Sequence, residues 1–301
     1  MAYRFSADEP IVRAIPRIAR EQLEGALRAL QDDEQAIDPR VHEARKHIKR
    51  LRALLALVAP GVDGGPLQDF KALLRGTAHT LAGLRGQAAL VESFASLHEH
   101  YKQELSSAEA ERIQAALAGG VEATTAVEET LDAARQTLVN GCSLTSTLRP
   151  SKAGWAALKK GFRATYRRAR RAHAKARSQP SAECLHAFRT PAKRHFYQLQ
   201  LFEEVSGEKV GERRKALNEL GERLGDHHDL SLLLEELERR RLVSSPSSPV
   251  VALARERCAE LEAEVLAAGD VLFRKASRQF ARRFGAALQL SPDDGGSPEA
   301  R

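Results

Sequence analysis

The pattern of hydrophobic and polar positions along this chain favours helices throughout. Ala, Leu, Glu, Arg and Gln are abundant, and no runs of Val, Ile or aromatic residues recur with the two-residue period of a strand. The pattern therefore predicts an all-α fold. The predicted helices cover about 10–30, 38–59, 66–85, 87–105, 108–139, 152–177, 181–206, 209–226, 229–242 and 248–286, the last with a break near Gly269.

Helix-breaking residues divide the chain near its middle. Arg149-Pro150-Ser151 separates two long helical stretches, so we expect a first helical half over 1–145 and a second over 146–290. Residues 291–301 are rich in Ser, Pro, Asp and Gly, and this composition predicts a disordered tail.

Two stretches, one in each half, repeat a cationic motif. Each begins with a histidine and places arginine, lysine and arginine three, seven and eight residues later. The members are His42, Arg45, Lys49 and Arg50 in the first half, and His186, Arg189, Lys193 and Arg194 in the second. On an α-helix these spacings gather the side chains on one face. Like charges on one face repel each other, so we expect an anion to bind across it.

The repetition extends to the helices that precede the two motifs. Basic residues spaced i, i+4 and i+7 occur there as Arg13, Arg17 and Arg20 in the first half, and as Arg163, Arg167 and Arg170 in the second. A helix that contains Leu and Gly and ends in a polar corner follows each motif. This order predicts an internal duplication of one helical unit, whose two basic faces could serve a single site.

The overall charge supports an anionic partner. The chain has a formal net charge of +7, and Lys152 to Ala182 contains no Asp or Glu. Because 43% of the residues are hydrophobic, the chain is expected to be globular, and not a disordered basic tail. The positive field around the acid-free segment favours nucleic acid, an anionic membrane surface or another polyanion as partner.

The cysteines and the apolar stretches indicate a cytoplasmic protein. There are 3 cysteines, widely spaced at Cys142, Cys184 and Cys258, which argues against a disulfide framework or a zinc knuckle and for a reducing compartment. The amino terminus has no apolar signal segment. No stretch approaches the roughly 18 apolar residues of a membrane span, so none is expected.

With these motifs, the sequence resembles the CHAD family, the conserved-histidine α-helical domain. The resemblance covers about residues 5–288 and rests on the paired motifs, extended by Arg52 and by Tyr197, and on the Leu-Gly-Asp-His-His-Asp sequence from Leu224 to Asp229. It implies two pseudo-symmetric helical bundles with a basic groove or pore between them. It also implies binding of inorganic polyphosphate and, in some members, association with polyphosphate or polyhydroxyalkanoate granules.

One corner departs from the family's pattern. The first Leu-Gly corner usually carries two aspartates, and the corresponding positions here are Gly86 and Ala88. Any salt bridge from those acids to the first half is therefore absent. Two consequences stay open: the basic side chains of the first half are held less firmly, or the groove is more positive.

Polyphosphate suits these residues because Arg binds two phosphate oxygens at once, in a bidentate contact, and Lys binds them as a point charge. The polyphosphate-binding residues that we predict are Arg17, Arg20, His42, Arg45, Lys49, Arg50, Arg52, Arg163, Arg167, Arg170, His186, Arg189, Lys193, Arg194, Tyr197 and His228. No nucleophile elbow, P-loop or paired-carboxylate motif is evident, so we expect a binding protein without a cofactor, and not an enzyme.

Two other functions stay open at this stage. Aromatic residues make up only 5% of the chain, which supplies few stacking platforms for single strands, but nonspecific duplex binding is compatible with the charge. A metal-dependent phosphate-processing enzyme would use His227 and His228 with the flanking aspartates. Neighbouring helical residues point about 100° apart, so both histidines cannot easily share one ion. For His42 and His186, a structural bond to a carboxylate such as Asp229 is the alternative to phosphate binding.

Overall fold

The computed structural model describes residues 3–84, 86–119, 124–243 and 248–290. Within these ranges it consists of α-helices, the short 3-10 helices Ala59–Gly61 and Cys142–Thr147, and loops, without β-strands. The all-α fold class is therefore confirmed. The α-helices are α1 (Ile11–Gln31), α2 (Ile37–Val58), α3 (Gly64–Gly83), α4 (Gly86–His100), α5 (Ser107–Ala118), α6 (Thr124–Gly141), α7 (Gly154–Ser178), α8 (Ala182–Leu201), α9 (Glu208–Arg239), α10 (Pro249–Leu272) and α11 (Ser277–Ala286). The tail that was predicted to be disordered lies outside the described residues.

Helix α9 differs from the sequence prediction. Separate helices over 209–226 and 229–242 were predicted, but one helix runs from Glu208 to Arg239. Gly225, which suggested a corner, is buried inside this helix, where a Cβ atom would lie 3.2 Å from Nη2 of Arg189. The glycine therefore provides room for a side chain of α8 and does not end the helix.

The carboxyl-terminal helix also breaks at a different place from the predicted one. Gly269, where the break was expected, lies inside α10, and a Cβ atom at this position would overlap the His173 ring of α7. The helical segment instead ends at Leu272 and resumes at Ser277. Both glycines thus mark close helix contacts, which local sequence alone does not distinguish from helix ends.

The two predicted halves share one hydrophobic core. A single cluster of buried side chains contains Ile15 and Leu54 from the first half together with Phe162 and Phe188 from the second. A second cluster packs α4 and α5 against the end of α9 and the start of α10. Helices of the first half thus pack on helices of the second at two places. The division at residue 145 and the internal duplication stay predictions.

Helix α2 lies against both α7 and α8, and one glycine allows its closest contact. A Cβ atom on Gly161 of α7 would overlap the carbonyl oxygen of Leu57 of α2, so the two backbones touch at this point. Gln198 of α8 donates from Nε2 to the carbonyl oxygen of Ala53, at 3.2 Å. These contacts fix the motif helix of the first half beside the motif helix of the second.

His195 of α8 is fully buried among aromatic rings. Its exposed fraction is 0%, and its ring centroid lies 5.2 Å from that of Phe162 and 5.5 Å from that of Tyr166. Neither ring nitrogen has a hydrogen-bond partner within the described part of the chain. Burial, and then the nearby Arg213, lower the pKa of His195 well below its ordinary value. The imidazole is therefore neutral in the folded protein at neutral pH.

This buried imidazole is expected to make the fold less stable in mild acid. The unfolded chain takes up the proton near pH 6.5 and the folded chain does not, so the free energy of unfolding falls by about 1.4 kcal/mol per pH unit below that point. His195→Phe should remove this part of the loss. Urea unfolding at pH 6 and pH 5 tests it, since wild type should lose about 1 kcal/mol more than the variant. An equal loss in both proteins would contradict the assignment.

Candidate anion-binding cleft

Cationic side chains of α2 and α8 line two adjoining cavities, which together we call the interhelical cleft. The smaller cavity, of about 130 Å³, is lined by Lys49, Arg52, Arg189, Thr190, Lys193, Arg194 and Tyr197. The larger, of about 410 Å³, shares Lys49, Arg189, Lys193 and Tyr197 and adds His42, Lys46, Arg50, Phe196, Gln200, Asn218, Gly221, Glu222, Gly225, Asp226 and Asp229. Residues from both predicted motifs therefore meet at one place.

Two glycines of α9 make room for the cations of α8. A Cβ atom on Gly221 would overlap Cδ of Lys193, and one on Gly225 would lie 3.2 Å from Nη2 of Arg189. The Lys193 ammonium also lies 5.2 Å from the ring centroid of Phe196, within the range of a cation–π contact. The close approach of α9 thus confines both cationic side chains at the cleft.

Four cations form what we call the inner cluster: Arg45, Lys49, Arg189 and Lys193. Burial, and then Arg189, Arg45 and Lys193, lower the pKa of Lys49 to about 8, and only Asp229 acts in the opposite direction. Burial and Arg189 likewise lower the pKa values of Arg45 and of Lys193. Within the described ranges, none of the four forms an ion pair with a carboxylate. The folded protein thus holds four like charges together, and Glu222, Asp226 and Asp229 offset them in part without forming ion pairs with them.

Five further cations, which come from α2, α3, α7 and α8, extend the positive charge beyond the inner cluster, and we call them the outer cluster: Arg52, Lys71, Arg75, Arg168 and Arg194. Burial, and then Arg52 and Arg168, lower the pKa of Arg194. The pKa of Lys71 is lowered by burial and by Arg168 and Arg194, and that of Arg52 by burial and by Arg75. These effects show that α3 and α7 contribute charge beside the cleft.

Sequence reasoning missed three members of the outer cluster. Lys71 and Arg75 lie one turn apart on α3, outside any repeated motif. Arg168 belongs to the acid-free basic segment but was not among the predicted binding residues. The i, i+4 spacing of Lys71 and Arg75 was the available signal, yet only the packing of α3 shows which residues it faces.

The carboxylates at the cleft come from α9. Glu222, Asp226 and Asp229 line the larger cavity. Burial, and then Asp229, raise the pKa of Asp226 above its ordinary value, while Arg257 and Arg189 act in the opposite direction. In the first half, Gly86 stands where the family usually has an aspartate. It begins α4 and supplies no carboxylate. An anion in the cleft would therefore have α2 and α8 as its cationic walls and α9 as its acidic margin.

The predicted residues of α1 lie outside the interhelical cleft. Nε of Arg17 donates to Glu9 at 2.9 Å, and its Nη1 donates to Glu21 at 3.1 Å. The hydrogen bonds that Arg17 donates to Glu9 are the main reason why the pKa of Arg17 is raised. Arg17 is thus held by internal partners, while Arg20 is exposed on the same helix and does not line the cleft.

The predicted residues of α7 are also separate from the cleft. Arg163 and Arg167 line another cavity, of about 360 Å³, together with Lys159 and Lys160. Nε of Arg170 donates to the carbonyl oxygen of Phe273 at 3.1 Å, which ties α7 to the end of α10. The structure therefore does not bring the flanking arginines into one site with the motif residues.

Two of the predicted histidines contact each other. Nδ1 of His186 and Nδ1 of His228 are 3.1 Å apart, so one ring donates to the other. Burial, and then His186 and Arg189, lower the pKa of His228 to about 4, which keeps it neutral at neutral pH. His42 alone of the three lines the cleft. Among the described residues, no group of three or more His, Cys, Asp or Glu could hold a metal ion.

Comparisons with known proteins agree on the fold. A family model described as the CHAD domain matches residues 21–238. The crystal structure of the CHAD domain from the plant Ricinus communis is similar with a TM-score of 0.59 and 17% identity, over 96% of this chain and 96% of that chain. PptA from Streptomyces chartreusis is similar with a TM-score of 0.56 and 17% identity, over 90% of this chain and 100% of that one. No curated protein matches. None of the described helices is both long and apolar enough for a membrane span.

Proposed function

The chain belongs to the CHAD domain family, and we propose that it binds inorganic polyphosphate in the interhelical cleft. The family is associated with polyphosphate binding. The observation that carries the proposal is the inner cluster, where burial and the charge of Arg189 lower the pKa values of Arg45, Lys49 and Lys193. Among the described residues, none of these four cations is ion-paired with a carboxylate. A phosphate chain would supply the missing negative charge.

The two clusters favour a long anion over a compact one. Arg45, Lys49 and Arg52 follow one face of α2 and span about 10 Å at 1.5 Å per residue. The outer cluster then extends the charge to Lys71 and Arg168 on neighbouring helices. A short anion can satisfy one cluster only, whereas a chain of phosphates can contact both at once.

The proposal assigns binding to the cleft, and not catalysis. The side chains that line it and carry charge are mostly Lys and Arg, which hold phosphate oxygens by charge-assisted hydrogen bonds. We further propose that this protein is cytoplasmic and associates with polyphosphate-containing granules. In that role the bound chain would be the link between the protein and the granule.

Long-chain polyphosphate is expected to bind at least about tenfold more tightly than pyrophosphate. Pyrophosphate can contact only one of the two clusters, so it lacks at least one charge-assisted contact of about 1.5 kcal/mol that the long chain makes. Competition at physiological salt tests this, with labelled long-chain polyphosphate displaced by pyrophosphate or by duplex DNA. Displacement by equal phosphate concentrations of pyrophosphate would point to one compact pocket. Equal displacement by DNA would favour a nonspecific nucleic-acid binder.

A further inference from the structure

Lys49 differs from the other lysine of α2 that lines the same cavity. Lys46 donates from Nζ to Oε2 of Glu43 at 3.1 Å, whereas Lys49 forms no hydrogen bond or ion pair within the described residues. Lys49 lines both cavities of the cleft, between Arg45 on its own helix and Arg189 and Lys193 on α8. Its side chain still reaches solvent.

The surroundings of Lys49 combine an amine with a phosphate-binding surface. Burial and the neighbouring cations bring the pKa of the amine to about 8, so a large fraction is neutral and nucleophilic in mildly basic solution. The guanidinium group of Arg189, which lines both cavities together with Lys49, is suited to hold a phosphate group beside it. An electrophile that carries its own phosphate would therefore be concentrated at this amine.

We propose that Lys49 is an acylation site, at which acyl phosphates transfer their acyl group to the side-chain amine. The inference rests on the proposed function, because the same cations would hold the phosphate of the reagent and that of polyphosphate. The nitrogen of the neutral amine attacks the carbonyl carbon and forms an amide. The bond from that carbon to the bridging oxygen breaks, inorganic phosphate leaves with the electron pair, and the amine proton passes to solvent.

Acylation would close the cleft to polyphosphate. The amide carries no charge, so the inner cluster loses one of its four cations, and the added acyl group occupies a cavity of only about 130 Å³. Conversely, bound polyphosphate would cover the amine and its phosphate-binding neighbours. Modification and polyphosphate binding are therefore expected to exclude each other.

The test treats the full chain with acetyl phosphate at pH 8 and measures acetylation at each lysine by mass spectrometry. About half of an amine with the pKa of Lys49 is neutral there, against roughly 0.4% of an ordinary lysine, and the lower nucleophilicity of a weaker base reduces this advantage to about tenfold. We expect Lys49 to react about tenfold faster than Lys46, the matched lysine on the same helix. Equal rates at the two lysines would overturn the proposal.

A neutral reagent separates phosphate binding from amine reactivity. We expect Arg189→Gln to lower the ratio of the Lys49 rate with acetyl phosphate to its rate with the N-hydroxysuccinimide ester of acetic acid. The ratio cancels any change in the amine itself, so an unchanged ratio would overturn the phosphate-guided reaction.

Polyphosphate binding before and after treatment distinguishes the two proposals. Treatment with acetyl phosphate should weaken polyphosphate binding by the wild type. The polyphosphate affinity of Lys49→Arg should be the same before and after treatment, because that variant has no amine at this position. If untreated wild type binds polyphosphate but Lys49 reacts no faster than Lys46, the acylation proposal fails alone. If Lys49 reacts rapidly but polyphosphate does not bind, the proposed function fails instead.

Discussion

Raising the sodium chloride concentration from about 50 to about 200 mM is expected to weaken polyphosphate binding by roughly 10²- to 10⁴-fold. The inner and outer clusters supply the cations, and we take about six to ten phosphates to be neutralised. With the coefficient for single-stranded nucleic acids, log affinity then falls against log salt with a slope of about −4 to −7. Fluorescence anisotropy of labelled polyphosphate across a salt series measures this slope.

Variants of the outer cluster test whether its cations account for part of this salt dependence. Lys71→Gln with Arg75→Gln should make the slope shallower by about 1.4, since each phosphate contact contributes about 0.7. The matched control is Arg278→Gln with Arg282→Gln, which removes the same charge from exposed positions of α11. A slope near zero in the wild type would mean that neither cluster is the binding surface. An equal change in both double variants would reflect net charge alone.

The motif helices could be predicted from sequence because their information is local. The spacing of His42, Arg45 and Lys49 places them on one face of any α-helix, whatever the helix packs against. The helical signals around this motif are uninterrupted, and those around the second one are strong although Pro191 lies inside it. The structure accordingly has helices at both motifs, and residues of both line the interhelical cleft.

Glycines were the main source of error in predicting helix ends. Gly225 and Gly269 suggested breaks because glycine lowers helix stability by about 1 kcal/mol relative to alanine. In the fold both positions face a side chain of another helix: a Cβ atom on Gly269 would overlap His173, and one on Gly225 would lie only 3.2 Å from Arg189. That reason is tertiary, so a single sequence could not separate it from a helix end.

The role of individual arginines was likewise decided by the partners that each side chain meets, whether these are near or far along the chain. Arg17 has the spacing of a binding residue, but Glu9 and Glu21 surround it. Arg170 has the same spacing and instead donates to a carbonyl group 103 positions along the chain. Lys71 and Arg75 show the opposite case, because they belong to no repeat and yet lie beside the motif residues. Periodicity gives the face of a helix but not the neighbour that the face meets.

Arg189→Gln is expected to weaken polyphosphate binding by about 10- to 100-fold, which corresponds to the 1.5–3 kcal/mol of a hydrogen bond to a charged group. Arg189 is the residue on which the inner cluster depends most, since it lowers the pKa values of Arg45, Lys49 and Lys193. Its Nε is buried without a hydrogen-bond partner within the described residues. Arg278→Gln, at an exposed position of α11, is the control for the loss of one charge.

A second measurement on the same variant separates a direct role from a loss of folding. Removing the Arg189 charge should raise the pKa of Lys49 above its present value of about 8, because a like charge that disfavours the ammonium form is gone. NMR titration of the Lys49 side chain reports this shift, and thermal unfolding checks the fold. Arg189 forms no ion pair among the described residues and lies among like charges, so its loss removes repulsion and the melting temperature should change little. Unchanged polyphosphate affinity together with a strongly lowered melting temperature would show that Arg189 holds the helices together, and the binding cleft would have to be sought elsewhere.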